Sequence, residues 1–145
     1  MIGDIIKYMD INKAKELLSL HSGRNNDIHN PKWKNGFLGS LRPFRGELNE
    51  ENFIEIMECL KTLKSEISAP TIEQAIVSDI IGIIHLTRAW TSPYGMLSCN
   101  QLLTEEQTKC LLTWIDIIEC CFMYLLENDE EDAFFDYEEY LNNKN

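Results

Sequence analysis

Arg24 and His29 are separated by four residues in the stretch "RNNDIH". An imidazole titrates near neutrality and moves protons, and a guanidinium grips a phosphate through paired N–H groups. Together they form the chain's best catalytic candidate. The other two histidines, His21 and His85, lie far from it and from each other. No two of the three have helical ligand spacing with a carboxylate or a thiol, so no metal site is expected. Cys59, Cys99, Cys110, Cys120 and Cys121 are odd in number, include an adjacent pair and contain no C-x-x-C. That is no disulfide framework; it reads as small core fillers in a reducing compartment. The segment "GFLGSLRPFRG" lacks the spacing and the lysine of a phosphate-binding P-loop. The reading is therefore of a protein that is not an enzyme and carries no cofactor.

Two further constellations stand out. Gln74, Ser78, His85 and Arg88 fall within a narrow arc of one helix face, with Gly82 leaving a gap among them. That strip is a solvent face, a polar seam against the 21–48 loop, or the wall of a small pocket with His85 and Arg88 near its end. The second is "LLENDEEDAFFDYEEYLNN", residues 125–143, with eight carboxylates from Glu127 to Glu139 and no Lys or Arg. Residues 1–109 hold 14 acidic and 12 basic side chains, whereas residues 110–145 hold 10 and one. A field this lopsided repels nucleic acid and anionic membrane and speeds encounter with a basic protein. Glu127, Asp129, Glu130, Glu131, Asp132, Asp136, Glu138 and Glu139 are read as the steering charges of a partner-binding surface. Phe134 and Tyr137 are read as its apolar anchors. The simpler alternative is a solvated tail.

The elements that must position these groups are helices. Residues 3–20 carry Ile5, Ile6, Met9, Leu17 and Leu18 on one side, with a break or kink at "MDIN", residues 9–12. Asn49 is placed to cap a second helix, with Phe53, Ile56, Met57, Leu60, Leu63 and Ile67 recurring at intervals of three and four. Residues 71–90 form a third, with an apolar arc through Ile72, Ile76, Val77, Ile80, Ile81, Ile83 and Ile84 wide enough for a central position. After the loop "TSPYGMLSCNQL", Thr104 and Gln107 make a capping box for a fourth helix running to about Asn128. A short helix near 131–142 closes the chain. Residues 21–48 resist the pattern: they hold four of the seven glycines and two of the four prolines. Trp33, Phe37, Leu38, Leu41 and Phe44 nonetheless call for burial, and Asn35-Gly36 signals a tight turn or small hairpin. Arg24, Lys32, Lys34, Arg42 and Arg45 against Asp27 give residues 24–45 a local balance of +4. These cations either pair with acidic helices or form a second contact surface.

The fold expected is all-α, one domain over residues 1–145, a compact bundle of four to six helices with one long, partly structured loop at about 21–48 and an acidic C-terminal segment at 129–145. The N-terminus lacks the apolar run of a signal peptide, and Asp116 and Glu119 interrupt the most apolar stretch, so a cytoplasmic, non-membrane protein is expected.

Two resemblances bear on function. The Arg24–His29 spacing in an all-α chain resembles the motif of the helical HEPN ribonucleases. That likeness implies that Arg24 and His29 act on an RNA phosphate at a dimer-built site. Small size, acidity and the lack of an enzymatic motif resemble, in overall character, the bacterial immunity proteins of polymorphic-toxin and contact-dependent growth-inhibition systems. That likeness implies a cognate toxin protein with a basic surface, often a nuclease, as partner. A helical regulatory adaptor for a basic partner is the remaining alternative.

Overall fold

A computed structural model describes residues 9–144. Its helices run in the order α1 Ile11–His21, α2 Pro31–Asn35, α3 Glu50–Thr62, α4 Lys64–Ser68, α5 Gln74–Thr91, α6 Met96–Cys99, α7 Glu105–Leu126, α8 Glu130–Ala133 and α9 Phe135–Asn143. Five have nine or more residues, and no strand occurs among the described residues. The all-α bundle is thus observed.

Local chemistry sets most helix ends. The expected break at "MDIN" is a helix start, because Asp10 accepts the Lys13 N–H at 2.7 Å. The expected side chains of Ile5 and Ile6 lie outside the described residues. Asn49 caps α3 by accepting the Glu51 N–H at 3.0 Å. The Thr104–Gln107 box is fully formed, with both reciprocal hydrogen bonds at 3.0 Å. The third helix starts at Gln74 rather than at residue 71, and the second is divided at Leu63 into α3 and α4. The last helix is likewise split, at Phe134, into α8 and α9.

α3 lies against α1 and α7, and α5 against α1 and α7, so these four helices enclose one contiguous core. Leu17 and Leu18, Phe53, Met57 and Leu60, Ile76, Ile80 and Ile83, and Ile115, Ile118 and Leu125 meet there. Each such side chain stabilises the fold by about 1.5–3 kcal/mol on burial. α5 is apolar on less of its girth than its sequence suggests, since Ile81 is 49% exposed.

Residues 22–48 hold no hairpin at Asn35-Gly36. Asn35 ends α2, and the backbone of Gly36 closes it by donating to the Lys32 carbonyl at 2.7 Å. The only pairing here is an isolated bridge between Leu41 and Phe44. Phe37, Leu38 and Leu41 are buried as their composition demands, Phe44 is half-buried, and Trp33 keeps 37% of its surface exposed. A buried polar lock fastens the loop. His21 Nδ1 accepts the Phe37 N–H at 2.9 Å, which fixes the proton on Nε2, and that nitrogen donates to Glu55 at 2.7 Å. Lys32 reaches the same Glu55 oxygen at 3.0 Å. Burial holds His21 below its usual pKa, even against the opposing pull of Glu55. For Glu55 burial acts upward, but the hydrogen bonds and charges of His21 and Lys32 prevail and hold it below the usual carboxylate range.

Candidate functional site

The structure does not assemble the Arg24–His29 motif as a site on a helix. Both residues lie in the turns after α1, and His29 is exposed. Arg24 Nε is committed to Asp79 Oδ1 at 2.9 Å, and the Ser22 hydroxyl donates to the same oxygen at 2.9 Å. Burial nevertheless leaves the Asp79 carboxyl above its usual range. The polar strip of α5 is not a pocket wall either. His85 is exposed, and Arg88 clasps α7 through Glu119 at 2.7 and 2.8 Å and Asp116 at 2.9 Å. Hydrogen bonding to Glu119 chiefly holds the Arg88 guanidinium in its charged form. Burial pushes the Cys121 thiol up to about 12 and the Cys59 thiol upward as well, so neither is a thiolate nucleophile at neutral pH. Among the described residues no three His, Cys, Asp or Glu side chains converge as metal ligands.

The C-terminal acidic segment is ordered and docked. Phe53 of α3 is the hub: Trp114 of α7 stacks on it at 5.5 Å, and Tyr137 and Tyr140 of α9 meet it edge-on at 5.9 and 5.2 Å. Polar links reinforce the dock. The Trp114 indole donates to the Tyr140 hydroxyl at 2.9 Å, and Tyr140 and Lys144 both bond Glu50. Tyr137 donates to Glu58 at 3.0 Å. Burial, then Glu58, keeps the Tyr137 phenol protonated far above neutral pH.

This docking divides the residues expected to bind a partner. Phe134 and Tyr137 are 8% and 1% exposed and face inward, with Lys61 over both rings at 5.8 and 5.4 Å. Their expected role as outward anchors is corrected: the rings are part of the core. Phe135, which the sequence did not single out, is the 57% exposed ring of the segment. Glu127, Glu130, Glu131, Asp132, Asp136, Glu138 and Glu139 face water, and Asp129 is half-buried as the α8 cap. Among the described residues, only Glu130 of these eight has a cation within 4.0 Å, Lys64 at 3.8 Å. Asp132 is held above the usual carboxylate range by its hydrogen bond with Asp129 and by that neighbour's charge. Such a shift marks carboxylates crowded without a counter-ion.

A second feature lies between the 22–48 loop and the end of α5. A cavity of about 550 Å³ opens there, lined by Ile28, Trp33, Leu38, Leu86 and Trp90 together with Lys34, Arg42 and Arg45. The local positive balance of residues 24–45 hinted at it; the meeting of two distant tryptophans did not show in the sequence.

No protein-family model, curated protein or solved structure matches the chain.

Proposed function

We propose that this chain is a binding protein that captures a basic partner through the acidic face of α8 and α9, as an immunity protein neutralises a toxin domain. The observation that carries the reading is the solvent-facing array itself: seven of the eight carboxylates between Glu127 and Glu139 lack a cation within 4.0 Å among the described residues. Had these groups been folded back on the molecule's own lysines and arginines, no outward field would remain. The aromatic dock gives the array a fixed shape, which lowers the entropy cost of binding. Phe135, with Met123 and Leu126 on the last turn of α7, supplies exposed apolar area at the same end of the chain. A basic nuclease domain, whose own site is built for phosphates, is the partner class that such an array complements.

The test is co-expression with the product of the adjacent upstream gene, scored as rescue of growth, with association of the two proteins followed by stopped-flow. Reversal of Glu130, Glu131 and Asp132 to lysine slows association by about tenfold or more at low salt, and the difference shrinks as salt is added. Phe135→Ser speeds dissociation. Unchanged rates in both variants would remove this face from the interface.

A further inference from the structure

The chain carries −11 at neutral pH, yet its cations are not spread evenly over that deficit. Of the twelve Lys and Arg among the described residues, eight lie within 4.0 Å of a carboxylate. The four that do not are Lys34, Arg42, Arg45 and Lys109. Three of these four line the same cavity, and among the described residues no Asp or Glu lines it with them. Ser22, on its wall, donates to Asp79, and that carboxylate is also held by Arg24. Arg45 also borders a neighbouring cleft with Glu47, Glu50 and Glu51, so Lys34 and Arg42 are the cations least shared with acidic groups.

Apart from Ser22, the rest of the lining is apolar and aromatic. Trp33 and Trp90 supply two indoles, and the Arg42 guanidinium sits 6.0 Å from the Trp90 ring centre. A cavity of about 550 Å³ falls within the roughly 300–1,000 Å³ typical of small-molecule sites. Hydrophobic walls with a few convergent charges of one sign are the usual architecture of a site that orients an amphipathic ligand. Guanidinium groups favour carboxylate, sulfonate and phosphate because their N–H groups pair with two oxygens at once.

We infer that this cavity binds a small organic anion: a flat or branched apolar body seated between Trp33 and Trp90, with its acid group held by Arg42, Lys34 and Arg45. The site shares no residue with α7, α8 or α9, so it stands independently of the acidic face.

The experiment is a two-dimensional NMR titration of the full chain with 2-naphthoate, and in parallel with 2-naphthalenemethanol, which has the same two rings and no charge. The chain has three tryptophans, and Trp114 is buried in the aromatic dock, so its indole N–H resonance is an internal control. Naphthoate is expected to saturate and to shift the Trp33 and Trp90 indole resonances while Trp114 stays still. The alcohol should bind about tenfold more weakly, as the loss of one charge-assisted contact implies. R42E/R45E and, separately, K34E should each weaken naphthoate binding, the double variant by about tenfold or more, at unchanged melting temperature, since all three side chains are exposed. Phe135→Ser should leave the titration unaltered. Equal affinity for the acid and the alcohol, a Trp114 shift that tracks the other two, no saturation below about 10 mM (weaker than the millimolar range of the poorest specific ligands), or indifference to both charge variants would overturn the assignment.

Discussion

Phe134, Phe135 and Tyr137 sit within four residues of one another, but the structure turns Phe134 and Tyr137 inward and Phe135 outward. Tyr137→Phe keeps the ring against Phe53 and removes only the hydroxyl that donates to Glu58 at 3.0 Å. A hydrogen bond to a charged acceptor contributes about 1.5–3 kcal/mol. Lys61, 3.9 Å from the same carboxylate oxygen, still compensates part of the charge, so the lower figure applies. Phe134→Ala empties a buried ring site and costs about 3 kcal/mol or more. Phe135→Ser alters a mostly exposed side chain and stays within about 0.5 kcal/mol. Unfolding entropy near 2.1 cal/mol/K per residue gives about 300 cal/mol/K for 145 residues, so 1 kcal/mol moves the melting temperature by about 3 °C.

Thermal unfolding followed by circular dichroism should therefore show falls of about 5 °C for Tyr137→Phe and about 10 °C for Phe134→Ala. Phe135→Ser should fall less than about 2 °C. Urea midpoints at constant slope provide the cross-check. A Phe135 variant as damaging as Phe134→Ala, or a silent Tyr137→Phe, would mean that α9 does not dock as described. The assignment of Phe135 as the outward ring would go with it.

Three further outcomes follow from the packing. Burial holds His21 below its usual 6.5, so the unfolded chain binds the extra proton and stability falls as pH drops below about 6.5. Glu55 weakens the fold only below its usual 4.5, whereas Asp79, held above 3.8, acts in the opposite sense from that value upward, so comparison with His21→Gln, rather than the pH range alone, isolates the imidazole. His21→Gln should lower stability overall and flatten that slope; an unchanged slope would locate the proton elsewhere. Gly36→Ala places a Cβ 2.5 Å from the Lys32 carbonyl oxygen and 3.3 Å from His21 Nδ1. It should cost about 2 kcal/mol by chemical denaturation, as overpacking does, whereas an unaffected midpoint would show that the loop yields. Arg88→Met breaks the clasp between α5 and α7, but these charges are well exposed and the loss should stay below about 1 kcal/mol. A larger fall in the urea midpoint would show that the clasp acts as a network.

What the sequence disclosed was local. Helix periodicity, the Asn49 cap and the Thr104–Gln107 box depend on residues within a turn or two, and both caps formed where the spacing put them. The lock of His21 on Phe37 and Glu55 joins the end of one helix to a loop and to another helix, and no spacing rule reaches that far. The same holds for the acidic segment. Which ring turns inward was decided by the backbone break at Phe134 and by the Phe53–Trp114 stack waiting for Tyr137. The Arg24–His29 spacing matched in letters, but Gly23, with φ of +75°, and the turns after it take the pair off any helix. The Trp33–Trp90 cavity was foreshadowed only by the cation excess of residues 24–45.

The placement of the acidic charges also bears on why they are there. Carboxylates at a helix start stabilise it through the dipole, by about 0.3–1 kcal/mol each at a surface. That accounts for Glu50 and Glu51 on α3 and for Glu105 and Glu106 on α7. It accounts for only part of the C-terminal array, since Asp136 and Glu138 stand in the first turn of α9 and Asp129 caps α8. α8 has four residues, too short for its dipole to reward Glu130, Glu131 and Asp132 together. Glu127 stands at the C-terminal end of α7, where the dipole opposes a negative charge. Glu139 lies past the first turn of α9, and Asp132 is already displaced by the carboxylate next to it. The segment therefore carries self-repulsion that helix formation offsets only in part, while Phe53, Trp114 and Tyr137 hold it in place. A fold that tolerates such a cost on one rigid face gains from it only when an external positive surface arrives, and this favours reading the array as an interface over reading it as a solubilising tail.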